Sequence, residues 1–258
     1  MKRLMAWRPN ARRVVLMAAL GLAACGLAGA GEVQVAVAAN FAGPFQKIAA
    51  DFAAQTGHKA VAATGSTGKF YTQIQAGAPF EVLLAADDET PKKLEAEGLA
   101  VKGQRFTYAV GTLVLWSAKP GLVDAQGTVL TTGRFSRLAI ADPKAAPYGA
   151  AGVEVLRALG LHDAVASRIV QGANIAQAHQ FVATGNADLG FVSLSQVAVP
   201  DKPSIGSWWV VPARLYTPIL QDAVLLTRGA GNPAAAALLA YLRSEPARAV
   251  IKAYGYGL

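Results

Sequence analysis

Short strand-like runs alternate with amphipathic helical segments along most of this chain, and no other feature of the sequence constrains its fold as strongly. A β-rich run at Val33–Ala39 precedes apolar residues at helical spacing up to Phe52, and the same order returns in Val61–Ala76. A second set of this kind spans Leu138–Val211. Strands that alternate with helices indicate helices packed around a mostly parallel sheet. The sequence therefore predicts an α/β protein with two such sets.

Two long strand-like runs, Phe106–Trp116 and Tyr216–Leu226, contain no helical pattern and flank the second set. We interpret them as two crossover strands that join two lobes. The first lobe is then expected to consist of residues 31–112 and 222–258, and the second of residues 113–221. Each lobe is expected to hold a mixed, mostly parallel sheet with flanking helices. The cleft between two such lobes is a common site for a small ligand.

Residues 1–30 have the pattern of an export signal peptide. They contain five of the 24 basic residues and none of the 16 acidic ones, and their apolar run Val14–Ala24 is too short for a membrane span of about 20 residues. Two cleavage sites are open. Cleavage after Ala28-Gly29-Ala30 would release a soluble protein, whereas Leu22–Gly26 is similar to a bacterial lipobox, in which Cys25 would carry a lipid anchor.

The basic charge of the chain comes mostly from this leader. The formal net charge is +8, but without the five leader bases the remaining body is only about +3. This small charge disfavours a basic surface for nucleic acid. Cys25 is the only cysteine, so the body after the leader has no disulfide, no cysteine-based zinc site and no catalytic thiol.

Sequence motifs of enzymes are scarce. The chain has neither a G-x-S-x-G elbow nor an H-E-x-x-H motif, and its three histidines are far apart in sequence. The densest acidic cluster, Asp87-Asp88-Glu89, is interpreted as a solvated loop and helix start rather than a metal site. We expect no direct metal ligands, no cofactor and no enzymatic activity. The rival interpretation is an exported hydrolase or transferase that uses Asp87 or Asp142 as its acid.

Small residues at helix starts carry the clearest functional signal. The turn Thr64–Phe70 is similar to a phosphate-binding loop, but Ala63 replaces its first glycine and Phe70 replaces the Ser or Thr that would hold Mg²⁺. What remains is a helix N-terminus with free N–H groups and hydroxyls, which suits an anion. Three further strand-end segments have the same character: Ala39–Phe41, Pro147–Gly149 and Asn174-Ile175. These four segments, two in each lobe, are predicted to meet an anion in the cleft with neutral donors.

Several stretches of the chain together point to one family. They are Gln73–Pro79 with Glu81-Val82, which is the most specific, and Ala38–Phe41, Gly65–Lys69, Ala141–Pro143 with Pro147–Gly149, Leu189–Val192 and Tyr254–Tyr256. In these stretches, and over almost all of residues 31–258, the chain resembles the periplasmic molybdate-binding proteins of ABC importers, which have the type II solute-binding fold. The resemblance implies a monomeric periplasmic protein that captures molybdate, and tungstate as well, and delivers it to a membrane permease.

Carried over residue by residue, the resemblance assigns the oxyanion to five positions. They are the side chain of Asn40, the hydroxyl and amide groups around Ser66 and Thr67, the region of Tyr148, and the backbone N–H of Ile175. Ala39 offers only its backbone. Ser193 stands where some family members have a tyrosine that reaches the anion, so Ala39 and Ser193 are secondary candidates. Because a tyrosine is present at position 148, the resemblance suggests the version of the site in which the aromatic hydroxyl comes from the Pro147–Gly149 segment instead of position 193.

The chemistry of these residues agrees with the resemblance. Molybdate and tungstate are fully deprotonated at neutral pH and only accept hydrogen bonds, so a suitable site offers donors and excludes carboxylates. Size should separate these ions from the smaller sulfate ion. The alternative is a binding protein of the same fold for another small oxyanion, such as sulfate or phosphate. An exported enzyme and a nucleic-acid binder are the weaker alternatives.

Overall fold

The computed structural model describes residues 30–258 and shows two five-stranded sheets with flanking helices. Residues 1–29 of the predicted export signal, Cys25 included, lie outside the described residues. The strands of the first sheet are β1 (Glu32–Ala38), β2 (Lys59–Gly65), β3 (Val82–Leu84), β4 (Phe106–Gly111) and β10 (Ile219–Leu225). The strands of the second are β5 (Leu113–Ser117), β6 (Leu138–Ala141), β7 (Ile169–Gly172), β8 (Leu189–Ser193) and β9 (Ser207–Val210). This architecture confirms the predicted two-lobed α/β fold.

Both sheets have the same topology. The strand order is β2-β1-β3-β10-β4 in the first sheet and β7-β6-β8-β5-β9 in the second. In the first sheet β1 runs parallel to β2 and β3, while β10 runs antiparallel to β3 and β4. In the second sheet β6 runs parallel to β7 and β8, while β5 runs antiparallel to β8 and β9. Each sheet therefore contains more antiparallel strand pairs than the mostly parallel sheet that was predicted. The reason is that β5 and β10 each enter their sheet from the other lobe and lie antiparallel to the neighbouring strands.

The two predicted crossover runs differ in detail from the expectation. The first run divides at Thr112: β4 ends at Gly111 in the first sheet and β5 begins at Leu113 in the second. The second run becomes a strand only from Ile219, and all of β10 belongs to the first sheet. Its pairing with β4 shifts register between Gln221 and Asp222, so the expected lobe boundary at 221/222 falls at an irregularity inside this strand.

The helices lie on both faces of the sheets. Those beside the first sheet are α1 (Ala42–Thr56), α2 (Thr67–Gln75), α3 (Glu89–Ala96), α9 (Pro233–Leu242) and α10 (Glu245–Ala253). Those beside the second are α4 (Val129–Thr132), α5 (Pro147–Ala158), α6 (His162–Val165), α7 (Ile175–Ala183) and α8 (Leu194–Val197). Helix α1 ends where Gly57 takes the left-handed conformation at φ +73°, which glycine adopts without strain. No helix of residues 30–258 is long and apolar enough to cross a membrane.

Each sheet is buried on both of its faces, and this burial holds in place the strand ends from which the helices at the cleft begin. Val33, Val35 and Val37 of β1 pack into the core formed with α1, whereas Ala36 packs into the opposite core with α2 and α3. Successive side chains of a strand point to opposite faces, so β1 is held from both sides. The second sheet is covered in the same way, and every residue of β6 is buried. Each lobe therefore presents a firmly held row of strand ends to the cleft.

Candidate functional site

A small cavity between the two sheets brings the predicted residues together. It is lined by Asn40, Ser66, Thr67, Tyr148 and Ile175, together with Ala38, Ala39, Gly65, Ala86, Ala146, Pro147 and Asn174. Ser193 is not among the lining residues. The cavity volume is about 10 Å³, far below the range of about 300–1,000 Å³ that is usual for organic ligands. This size excludes an ordinary organic ligand and leaves a small inorganic ion.

Helix N-termini from both lobes point at this cavity. Ser66 is the N-cap of α2, Tyr148 is the second residue of α5, and Ile175 is the first residue of α7. The fourth segment is the single turn Ala39–Phe41 that leads into α1. The first N–H groups of a helix have no acceptor within it, and the helix dipole places partial positive charge there. None of the lining residues is charged, so these termini supply the only electropositive character of the cavity wall.

Two hydroxyl groups on α2 are free to donate into the cavity. Ser66 is 3% exposed, and its Oγ is buried without a hydrogen-bond partner among the described residues. Thr67 Oγ1 accepts the N–H of Ala86 at 2.9 Å, which leaves its own hydrogen unused by that bond. A buried hydroxyl without a partner costs about 1–3 kcal/mol. A ligand that accepts hydrogen bonds would remove that cost.

The amide group of Asn40, which was expected to donate to the anion, instead donates to other side chains. Its Nδ2 donates to Gln221 Oε1 at 2.9 Å and to the Tyr256 hydroxyl at 3.0 Å, so both amide hydrogens are engaged. Its Oδ1 is buried and has no partner among the described residues. In this arrangement the main-chain N–H of Asn40, in the turn before α1, is the group that can donate to an anion.

Tyr148 lies between the cavity and a buried polar network. Its hydroxyl oxygen accepts from Ser193 Oγ at 3.2 Å and from Gln221 Nε2 at 3.1 Å. Desolvation by burial raises the pKa of the Tyr148 hydroxyl well above its ordinary value, so the group stays protonated at neutral pH. Ser193 is in contact with the tyrosine rather than with the cavity.

Four residues of this network escaped the sequence analysis as site residues: Gln221, Tyr108, Ser195 and Tyr256. The hydroxyl of Tyr256 bonds to Asn40 O and Ser195 Oγ, both at 2.9 Å, and Tyr108 lies 3.1 Å from Gln221 Oε1. Tyr256 belongs to a stretch that carries the family resemblance, but a lone glutamine in a crossover strand gives no signal. Its contact with Asn40 joins positions 181 residues apart, which no local pattern reveals.

The carboxylates considered for the rival enzyme are engaged in local turns. Asp87 accepts from the main-chain N–H of Thr90 at 2.8 Å and from its hydroxyl at 3.2 Å, next to the start of α3. Desolvation raises the pKa of Asp87. Asp142 accepts from the N–H of Lys144 at 3.0 Å. Asp142 has the role at the end of β6 that the sequence favoured, whereas Asp87 lies next to a helix start as expected but is partly buried rather than solvated. No cluster of three metal-ligating side chains occurs within residues 30–258.

The lobes touch directly beside the cavity. The N–H of Gly68, in the first turn of α2, donates to the carbonyl of Ala145 in the second lobe at 2.9 Å. A Cβ atom on Gly68 would lie 3.0 Å from Ala145 Cα, so the absence of a side chain permits this contact. The structure is therefore closed over the site.

Comparison with known proteins gives one consistent result. Residues 33–257 match the family described as bacterial extracellular solute-binding protein. The chain is 63% identical over 246 residues to the molybdate-binding protein ModA of Azotobacter vinelandii, covering 95% of this chain and 97% of that one. It is 51% identical to ModA of Rhodobacter capsulatus, covering 96% of each chain. The solved periplasmic molybdate-binding protein of Azotobacter vinelandii aligns with a TM-score of 0.85 and 46% identity, covering 88% of this chain and 99% of that one.

Proposed function

Because the chain belongs to the bacterial extracellular solute-binding proteins, and within them to the family of the molybdate-binding protein ModA, we propose that it captures molybdate in the cavity between its lobes. Tungstate, which has the same charge and shape, binds in the same way. The loaded protein delivers the ion to the permease of an ABC transporter. The protein is a carrier and not an enzyme.

The observation that carries this proposal is a small cavity with donors and no charged wall. The donors are the hydroxyls of Ser66, Thr67 and Tyr148 and the main-chain N–H groups of Asn40 and Ile175. A deprotonated oxyanion has only acceptors, so every one of these groups matches it. The dipoles of α2, α5 and α7 offset its charge without a lysine or arginine in the cavity.

The expected affinity follows from the number of donors. Hydrogen bonds to a charged acceptor contribute roughly 1.5–3 kcal/mol each. Some five to seven of them, after the costs of ordering and desolvation, give about −10 to −12 kcal/mol, which corresponds to dissociation constants from nanomolar to tens of nanomolar. Sulfate is smaller than molybdate and would leave some of these donors out of reach.

Phosphate is the second candidate, and one observation favours it. Hydrogen phosphate carries a hydroxyl that needs an acceptor, and Asn40 Oδ1 is a buried acceptor without a partner among the described residues. Molybdate brings no proton to this oxygen. A site for phosphate would use Asn40 Oδ1 as an acceptor, whereas a site for molybdate leaves it unused.

Titration calorimetry with molybdate, tungstate, sulfate and phosphate tests the proposal. We expect tight binding of molybdate and tungstate and no comparable heat from sulfate or phosphate. Tight binding of phosphate or sulfate without binding of molybdate would replace the proposed ligand. If none of the four ions binds, the proposal of an oxyanion carrier is wrong.

The remaining features of the proposal concern the whole protein. It is exported to the periplasm and acts as a monomer, and its two lobes close around the ion. The mass of the mature N-terminal peptide distinguishes cleavage before Gly31 from lipid modification at Cys25. Light scattering of the purified protein checks the monomer.

A further inference from the structure

Gln221 occupies a central place beneath the cavity without lining it. The residue lies in β10 at the register shift, and its side chain is fully buried. Its Oε1 accepts from Asn40 Nδ2 at 2.9 Å, and its Nε2 donates to the Tyr148 hydroxyl oxygen at 3.1 Å. One carboxamide thus joins the turn before α1 in the first lobe to the start of α5 in the second.

Asn40, Gln221 and Tyr148 form a series of hydrogen-bonded side chains, and the direction of the first bond sets the direction of the next. Asn40 Nδ2 can only donate, so the end of Gln221 that meets it is the oxygen. The other end of the carboxamide is then the nitrogen, and it meets Tyr148 as a donor. A tyrosine hydroxyl has one hydrogen and can accept two bonds. Because Gln221 donates to the Tyr148 hydroxyl oxygen, Tyr148 does not donate its own hydroxyl hydrogen to Gln221.

We propose that Gln221 is a positioning residue that directs the hydroxyl hydrogen of Tyr148 into the cavity, where the bound oxyanion accepts it. The inference rests on the proposed function. Ser193 Oγ, at 3.2 Å from the same hydroxyl, supports this arrangement when it donates, and becomes a competing acceptor when the Gln221 donor is lost. A donor that is already oriented avoids the cost of reorganisation when the ligand arrives.

A different prediction follows if the oxygen and nitrogen atoms of the Asn40 and Gln221 carboxamides are exchanged by rotating both groups. If both carboxamides were turned over, Tyr148 would donate to Gln221, and Asn40 would present its amide hydrogens to the cavity. The two arrangements offer the anion different donors, Tyr148 in one and Asn40 in the other. An unchanged affinity in Tyr148→Phe would therefore overturn the proposal.

The substitution Gln221→Glu gives the sharpest test because its effect depends on pH. An ionised Glu at this position accepts from both Asn40 and Tyr148, so the tyrosine hydrogen is withdrawn from the ligand and a negative charge is added below the site. A protonated Glu can again donate to Tyr148. We expect molybdate affinity to fall at least about tenfold near pH 8 and to recover as the pH is lowered toward about 6, since burial favours the neutral acid.

The ionisable groups around position 221 must be taken into account in this experiment. Burial raises the pKa of Tyr108, Tyr148 and Tyr256, so all three remain neutral over this range. Asp222 is buried and paired with Arg105 and the Thr107 hydroxyl. Asp87, whose main-chain carbonyl accepts the Asp222 N–H, has a raised pKa and is the group that could titrate independently. The wild-type protein measured at the same pH values corrects for Asp87 and for protonation of the ligand.

A matched control exists in the first lobe. Gln55 Nε2 also donates to a tyrosine hydroxyl, that of Tyr241, at 3.2 Å, but far from the cavity. Gln55→Glu makes the same chemical change and is expected to leave molybdate affinity within about twofold of wild type at every pH, since a Glu at this exposed position stays ionised over this range and lies outside the site. A pH dependence in Gln55→Glu equal to that of Gln221→Glu would overturn the proposal.

A double-mutant cycle separates positioning from general structural damage. The cycle uses the uncharged change Gln221→Met, because the charge of an ionised Glu would act on the anion directly. If Gln221 acts through the Tyr148 hydroxyl, Gln221→Met adds little further loss once Tyr148 is Phe. Fully additive losses, or an affinity of Gln221→Glu equal to wild type at both pH values, would contradict the inference while leaving the proposed function intact. Absence of molybdate binding by the wild-type protein would instead contradict the proposed function itself. Thermal unfolding of each variant at both pH values shows whether it is folded, because a buried Glu that ionises also lowers the stability of the folded protein at the higher pH.

Discussion

At the scale of single residues, the cavity contains a buried hydroxyl that makes no hydrogen bond within the described part of the fold. Ser66 Oγ is buried and has no partner among the described residues, so removing it should relieve a desolvation cost in the empty protein. We expect Ser66→Ala to weaken molybdate binding by about 1–2 kcal/mol and to leave the unliganded protein as stable as wild type, or more so. Calorimetric titration and thermal unfolding without ligand measure the two effects.

Ser244 is the matched control for this prediction. Its Oγ is also buried without a partner among residues 30–258, but it lies at the start of α10, away from the cavity. Ser244→Ala should therefore change the unliganded stability in the same direction while leaving molybdate affinity at the wild-type value. A loss of affinity in Ser244→Ala, or none in Ser66→Ala, would contradict the assignment of Ser66 to the site.

Thr67 is expected to behave differently from its neighbour. Its Oγ1 accepts the Ala86 N–H, so Thr67→Ala leaves a buried N–H unpaired as well as removing a donor to the ligand. We expect weaker binding by about 1–2 kcal/mol together with a loss of unliganded stability of similar size. Chemical denaturation in the absence of ligand measures the second effect. Unchanged stability would mean that Thr67 and Ala86 are not bonded in solution.

The sequence predicted these residues but not the roles of all their atoms. Asn40 was expected to bind through its side chain, and the structure engages both of its amide hydrogens with Gln221 and Tyr256. Residue type and position at a strand end can be read from sequence, since small and polar residues at helix starts have a physical reason. The direction of an amide depends on partners distant in sequence, which local patterns do not contain.

At the scale of secondary-structure elements, the start of α7 presents the Ile175 N–H to the cavity and is fixed by a cap. Asn174 Oδ1 accepts the Gln177 N–H at 3.0 Å, and the replacement of such caps by alanine costs about 1 kcal/mol. Asn174→Ala should loosen the first turn, so that both stability and molybdate affinity fall. The measurements are thermal unfolding and calorimetric titration.

A second asparagine cap provides the comparison. Asn232 Oδ1 accepts the Ala234 N–H at 2.9 Å at the start of α9, away from the cavity. Asn232→Ala should destabilise the protein at least as much, because Asn232 also bonds to Glu32 O and Glu81. Its molybdate affinity should remain that of wild type. Equal losses of affinity in the two variants would indicate a global effect rather than a role for α7.

The elements themselves followed closely from the sequence, with one informative difference. Apolar periodicity and helix-start residues were sufficient for β1, α1, β2 and α2, because their patterns are local. The run from Phe106 to Trp116 is uniformly strand-like, and its division at Thr112 follows from the packing of its two halves into different sheets. The antiparallel entry of β5 and β10 is likewise a property of the assembled lobes.

At the scale of the whole molecule, the two lobes meet at a contact that has no space for a side chain. The Gly68 N–H bonds to the Ala145 carbonyl across the cleft, and a Cβ at position 68 would lie 3.0 Å from Ala145 Cα and 3.2 Å from its oxygen. Gly68→Ala should hold the lobes slightly apart and weaken molybdate binding by about 1–2 kcal/mol. Small-angle scattering with and without molybdate should show less compaction on binding than in wild type.

Gly43→Ala controls for the added methyl group. Gly43 lies in α1, and the nearest atom to its Cβ would be Tyr254 Cε1 at the ordinary distance of 3.4 Å. This variant should bind molybdate and close as the wild-type protein does. Wild-type affinity in Gly68→Ala would show that the lobes do not need this contact.

The uncharged wall of the cavity has a consequence for the electrical behaviour of the protein. Because none of the lining residues is charged, a dianion enters without a compensating side chain, and the loaded protein carries the full additional negative charge of its ligand. Loaded and empty molecules should therefore separate in an electric field, although they have the same sequence. The attraction comes from dipoles that act at short range and out of contact with the solution, so the affinity should depend only weakly on ionic strength.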